Sequence, residues 1–332
     1  MKSNLRKFLC SHGEVRMKNL PYVILVLALI CFSLSCQRTE QVADEAAVDV
    51  DSKKIGLMPL NVPDALLAYS VEGTGIPCVV FTGGESLGTK IYSEKLKQHF
   101  KFIYADPKNL SKEDVQGMTL SAILADIEKV RRGLGLEKIA VMGHSMYSVL
   151  PPAYALEYPG HASHLIITGG LPFISEMSDK ASEEYWKREA SKERKEIRKR
   201  NQEALTEDIL SELTPSEVRK RNYMANMPFF FFDAEFDMSD IWEGVEINND
   251  FSTRFWELVY GLDNTDKLHL IEAPVLVVSG RYDFWAPYFL WDKIKASIPD
   301  LTFILFENSG HNPMLETPEE FDPNLIDWVK SH

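Results

Sequence analysis

Three short stretches of the 332-residue chain carry side chains suited to nucleophilic chemistry: KIAVMGHSMYS at 138–148, VLVVSGRYDFWAP at 275–287 and FENSGHNPMLETPEEF at 306–321. A serine hydroxyl is a poor nucleophile at neutral pH and needs a base to take its proton during attack. In the first stretch an apolar run leads straight into Gly143-His144-Ser145. Ser145 is therefore expected at a sharp turn beyond a strand end, with its hydroxyl exposed and the N–H of Met146 aimed at a developing oxyanion. Asp283 follows the second apolar run and His311 the third. An acid at the end of one strand can orient a histidine through one ring nitrogen while the other nitrogen serves the serine. Taken singly, an aspartate in a loop is more often a turn or helix cap, and a loop histidine more often a surface residue. Their chain order and shared placement after strands raise the weight of the chemical reading. Two irregularities stand beside it. Tyr147 occupies the place of the second glycine of G-x-S-x-G, and Pro151 with Pro152 must kink or delay the helix that follows.

These residues need a rigid frame, and the sequence supplies one. Apolar runs rich in β-branched and aromatic residues recur at 78–81, 100–104, 139–142, 165–168, 275–279 and 302–306. Each has the length and near-continuous hydrophobicity of a strand buried on both faces. Helical stretches such as 120–134 lie between them, and two earlier runs, 56–61 and 65–72, read as an antiparallel entry to the sheet. The alternation predicts an α/β fold with a mostly parallel eight-stranded sheet flanked by helices. It breaks between 171 and 270, where a Lys/Glu-dense region, SEEYWKREASKERKEIRKRNQEAL, and the aromatic NMPFFFFDAEFDMSDIW predict a helical insertion. The dense charges read as a solvated helix face with i,i+4 pairs, and 229–232 as core of the insertion.

The stretches GHSMYS, SGRYDFWAP and SGHNPMLETPEEF resemble the α/β-hydrolase fold superfamily, and within it the proline iminopeptidase-like serine hydrolases with a helical cap. The resemblance covers about residues 55–332. It implies Ser145 as nucleophile, His311 as general base and acid, Asp283 as the orienting carboxylate, and a cap inserted after the sixth strand. The glycine pair of VVFTGGESLG is similar to the family's HGGPG-like oxyanion loop, with Thr82 for its histidine and Glu85 for its proline. That assigns Gly84 as second oxyanion donor beside Met146, Gly83 being the other candidate. The implied core is 55–170 with 271–332, and the implied cap is 171–270. The implied substrates are a small ester, an amide or a short peptide with a free amino terminus, and no cofactor is required. A carboxylesterase or lipase-like enzyme, or a binding protein on the same scaffold, is the alternative.

Composition narrows the remaining choices. With 36 basic and 49 acidic residues the formal charge is −13, which argues against a nucleic-acid binder. Cysteines at 10, 31, 36 and 78 make no ligand spacing, so no metal site is expected. GGESLGTK lacks the Gly-Lys-Ser/Thr of a phosphate loop, and Asp106 in YADPKNLS reads as a loop-structuring residue. Eleven acids against Arg254 and Lys267 give residues 233–272 a charge of −9, a candidate attraction for cationic substrates. At the amino end, basic residues precede the thirteen apolar residues YVILVLALICFSL at 22–34, too short to span a bilayer but the length of a signal-peptide core. Ser-Leu-Ser-Cys at 33–36 resembles a bacterial lipoprotein cleavage site, which implies a signal peptide over 1–35, a lipid on Cys36, a flexible tether over 36–54 and a place on the cell-envelope membrane. Met17 is an alternative start.

Overall fold

A computed structural model describes residues 56–332; the signal-peptide, Cys36 and tether assignments lie outside the described residues. The strands are β1 (Met58–Leu60), β2 (Ala68–Gly73), β3 (Ile76–Phe81), β4 (Phe100–Asp106), β5 (Ile139–His144), β6 (Ala162–Thr168), β7 (Val275–Gly280) and β8 (Leu301–Phe306). They form one sheet in the order β1-β2-β4-β3-β5-β6-β7-β8. The β1–β2 and β2–β4 pairs are antiparallel and all the others parallel, as the sequence pattern predicts.

Period-two alternation explains why the parallel strands read as continuous apolar runs. Val79, Phe81, Ile103, Val141, Ile167 and Val277 point into one core layer. Cys78, Val80, Phe102, Tyr104, Ala140 and Val278 point into the other. Helices cover both faces: Ile123, Ile127 and Val130 of Leu120–Gly133 fill the first layer, and Phe321, Leu325 and Trp328 of Pro318–Ser331 fill the second. Cys78 is a free, fully buried thiol whose pKa burial raises, so it acts as a small hydrophobe. The chain winds away from β3 in both directions, to β4 on one side and β5 on the other. The carboxyl ends of β3 and β5 therefore flank the reversal point where open α/β sheets place ligands.

Between β6 and β7 the chain is helical, with segments Glu176–Glu189, Lys192–Glu203, Glu207–Ser211, Pro215–Ala225, Met227–Phe230, Ser239–Trp242 and Asn249–Val259. Ser175, Ser191, Thr206 and Thr214 cap the first four with side-chain oxygens that accept backbone N–H groups. The expected i,i+4 pairs form on the charged helices, Lys180–Glu176, Lys187–Glu183, Lys192–Glu196 and Lys199–Glu203. The solvated reading needs one correction. Arg194 is 9% exposed; its guanidinium donates to the carbonyls of Pro228 (2.9 Å), Phe231 (2.5 Å) and Phe232. Arg198 lies over the Phe229 ring at 4.3 Å. Guanidinium groups shed water more readily than ammonium groups and stack on rings, so these two arginines clamp the aromatic segment where lysines would not.

Candidate active site

Ser145 begins immediately after β5 and has φ of 60°, a left-handed value that a non-glycine residue rarely takes. The turn lifts its hydroxyl out of the sheet. Residues Ser145–Val149 form a 3-10 turn and the α-helix starts only at Leu150, so Pro151 and Pro152 fall within its first turn and remove no needed donor. The delay expected from the proline pair is what the backbone shows. A Cβ on Gly143 would lie 2.2 Å from the Tyr147 carbonyl, so the close approach at this turn is made at Gly143. The Tyr147 side chain turns toward the insertion instead, its ring 4.8 Å from Phe255.

The structure brings Ser145, Asp283 and His311 together. The Ser145 hydroxyl is 2.9 Å from His311 Nε2, and His311 Nδ1 is 2.7 Å from Asp283 Oδ2. The other Asp283 oxygen accepts the backbone N–H groups of Trp285 (3.1 Å) and Ala286 (2.8 Å). Asp283 is fully buried and His311 is 2% exposed. An acceptor-only carboxylate at Nδ1 fixes the proton there and leaves Nε2 free to take the serine proton.

After β3, Gly83 and Gly84 have φ of 107° and 115° and lead into the helix Glu85–Ile91. A Cβ at position 84 would meet Asp106 Oδ1 at 3.3 Å. Asp106 structures this loop as expected: it accepts the N–H of Glu85 at 3.0 Å and that of Lys108 at 2.8 Å. The Glu85 carboxylate pairs with Lys108 at 3.3 Å, which offsets the charge that would otherwise oppose an oxyanion. Gly84 and Met146 stay the candidate oxyanion donors.

Several residues around the triad carried no signal in the sequence reading. The backbone N–H of His311 donates to the Phe230 carbonyl at 2.6 Å, and the Phe230 and Trp285 rings lie 5.4 and 5.2 Å from the imidazole. Glu316 accepts the N–H groups of Gly310 (3.0 Å), Asn312 (3.0 Å) and Phe232 (2.7 Å), so one carboxylate ties the histidine loop to the aromatic segment. Burial lifts the Glu316 pKa to about 7, against the opposing pull of those donors. The available clue was a carboxylate five positions beyond a loop histidine. His144 Nδ1 meets the Thr168 carbonyl at 2.9 Å, and its ring is 4.9 Å from that of His311. Burial, then the neighbouring His311, pushes His144 down to about 3, so it stays neutral and does not oppose a charged imidazolium beside it.

The acidic stretch 233–272 lies at the surface of the insertion. All eleven of its acids are exposed. Glu235 and Glu257 pair with Arg200 and Arg254, and Asp237 and Asp263 accept local backbone N–H groups. The charge is a solvated surface rather than a lining of the triad. Among the described residues no group of three or more His, Cys, Asp or Glu could hold a metal ion.

Fold and site together define the class. The chain belongs to the alpha/beta hydrolase fold family, whose model matches residues 92–318, and it is a hydrolase. It is 30% identical to AB hydrolase superfamily protein YclE of Bacillus subtilis, over 79% of this chain and 95% of that one. It is 23% identical to a proline iminopeptidase of Heyndrickxia coagulans, over 79% of this chain and 93% of the relative. Its fold is similar to the crystal structure of a proline iminopeptidase from Mycobacterium smegmatis, with a TM-score of 0.60 and 17% identity over 83% of this chain and 98% of that one.

Proposed function

We propose that the protein is a serine hydrolase that cleaves a small ester or amide through an acyl-enzyme on Ser145. The observation that carries this reading is the continuous hydrogen-bonded chain Ser145–His311–Asp283, built on a positive-φ turn at the carboxyl end of β5. In the first half-reaction His311 Nε2 takes the Ser145 proton as the oxygen attacks the carbonyl carbon. Asp283 stabilises the imidazolium that forms, and the N–H groups of Met146 and Gly84 receive the oxyanion. The imidazolium then protonates the leaving oxygen or nitrogen. Water, deprotonated by the same histidine, releases the acid and restores Ser145. A fluorophosphonate probe is expected to label the protein at Ser145 and not to label Ser145→Ala. Asp283→Asn is expected to lower kcat by about four decades, as loss of the correct tautomer does elsewhere. A protein whose Ser145 ignores the probe while its fold is intact is not a serine hydrolase.

The names of the relatives favour a second reading, an aminopeptidase of the proline iminopeptidase type. Comparing a prolyl arylamide with a short acyl ester decides between them, since turnover of the ester alone removes the peptidase. The amino-terminal reading, a signal peptide followed by lipid on Cys36 and a membrane-tethered hydrolase, belongs to the same proposal. Its support is the apolar run at 22–34 and the Ser-Leu-Ser-Cys that follows. Cys36→Ser is expected to move the protein from the membrane fraction to the soluble one.

A further inference from the structure

Two loops carry the acid and the base of the triad, and the insertion between β6 and β7 grips both. On the acid side it holds the residues that flank Asp283. The Tyr185 hydroxyl donates to the Arg281 carbonyl at 2.6 Å, and the Ser182 hydroxyl donates to the Phe284 carbonyl at 2.7 Å. The Phe284 N–H donates to the Phe229 carbonyl at 3.2 Å, and the Phe284 ring lies 5.0 Å from those of Tyr185 and Trp186. On the histidine side the next carbonyl along, that of Phe230, accepts the His311 N–H. Asn312 Nδ2 donates to the Tyr223 hydroxyl at 3.1 Å, and the Phe232 N–H donates to Glu316. A Cβ on Gly310 would lie 2.1 Å from the Phe230 carbonyl, so insertion and loop meet backbone to backbone.

Consecutive carbonyls of one short segment therefore take the N–H of the residue after Asp283 and that of His311 itself. The bond that orients the imidazole, from His311 Nδ1 to Asp283 Oδ2, spans the same two loops. Both groups stand beyond the ends of β7 and β8, where the ladder of the sheet no longer fixes them. Among the described residues, the last backbone bond between the two loops runs from the Tyr282 N–H to the Ser309 carbonyl at 2.9 Å, short of Asp283 and of His311. Past it, the insertion supplies the grip. Catalytic groups must be held within about 0.5 Å of productive geometry, and a displacement of about 1 Å can cost about a hundredfold in rate.

We infer that Ser182, Tyr185 and Tyr223 are positioning residues of the triad: through the two loops they set how Asp283 meets His311, and the insertion is thereby part of the catalytic apparatus. Ser182 and Tyr185 belong to the helix Glu176–Glu189 and Tyr223 to Pro215–Ala225, so different helices of the insertion hold the two ends of one bond. Their hydroxyls meet loop carbonyls and Asn312 rather than a triad side chain. Deleting one leaves the reacting groups in place and releases only the loop that carries them. The effect on rate rests on the serine-hydrolase reading, whereas the setting of His311 can be read without turnover.

The test compares Tyr185→Phe and Tyr223→Phe with the native full chain. The control is Ser216→Ala, which deletes a hydroxyl that accepts the Ile247 N–H at 3.0 Å inside the insertion. Turnover of p-nitrophenyl butyrate gives kcat and KM. Proton NMR of the free protein gives the downfield resonance of the proton on His311 Nδ1, identified by its loss in Asp283→Asn. In Tyr185→Phe and Tyr223→Phe, kcat is expected to fall about threefold to tenfold, the effect of one neutral hydrogen bond, with KM within about twofold. The resonance is expected to move upfield in both. Ser216→Ala is expected to keep kcat within about twofold and the resonance in place. A kcat loss no larger than that of the control, a loss carried by KM alone, or an unmoved resonance overturns the inference. Should Tyr185→Phe misfold by circular dichroism, Ser182→Ala takes its place on the acid side with the same expectations. A native chain that neither turns over the ester nor labels with fluorophosphonate, while the resonance moves in both variants, would remove the hydrolase reading and uphold the positioning.

Discussion

At the scale of single residues, the triad is held by groups that do no chemistry themselves. His311 is fixed on three sides: Asp283 at Nδ1, the Phe230 carbonyl at its backbone N–H, and Glu316 at the N–H groups on either side of it. Glu316 is a positioning residue, and its raised pKa makes a sign-specific prediction. A carboxyl whose folded pKa lies above its unfolded value adds stability below the ordinary glutamate range and loses it as pH rises through about 7. Relative to Glu316→Gln, which cannot titrate, the native protein is therefore expected to hold its largest advantage in melting temperature near pH 5 and to lose part of it by pH 8. A gap that widens with pH would mean that the three N–H donors outweigh burial. At pH 5 the variant is expected to be weaker by about 1–3 kcal/mol, because an amide N–H₂ then faces N–H donors.

At the scale of elements, the strand ends and the charged helix perform different tasks. Strands β5, β7 and β8 deliver Ser145, Asp283 and His311 to the carboxyl end of the sheet; hydrophobic period marks the strands, and their parallel pairing brings those ends together. The helix Lys192–Glu203 matters through Arg194, which satisfies three carbonyls of the aromatic segment that in turn anchors His311. Arg194→Met fills similar volume but leaves those acceptors bare. It is expected to lower stability by about 2–5 kcal/mol, seen as a lower urea midpoint, and to reduce kcat as the His311 anchor loosens. An unchanged midpoint would show that the segment holds itself. A run of lysines and glutamates hides such a residue well, since only contact distinguishes one buried arginine from its solvated neighbours.

At the scale of the whole molecule, net charge and local charge part company. The −9 of residues 233–272 faces solvent on every one of its acids, while the carboxylates that act on the triad, Asp283 and Glu316, lie outside that stretch and sit against His311 and its loop. Exposed charges act through water and are screened within about 8 Å at physiological salt. The double variant Asp263→Asn with Asp266→Asn is therefore expected to leave the ratio of cationic to neutral substrate turnover within about twofold of the native value. A marked loss for the cationic substrate would restore the acidic surface as a recognition element.

The sequence by itself determined the sheet, the helical insertion and the order Ser145, Asp283, His311, because strand and helix periods and the turns that close them are local properties of the chain. It also marked Asp106 as a loop-structuring residue. Only the tertiary structure decided which residues steady His311, that Arg194 of a charged helix is buried while Arg198 stacks on Phe229, and that the acidic stretch faces water. Each of those depends on contacts between segments far apart in sequence, and burial, which no local pattern of charged residues reveals, sets the meaning of every one.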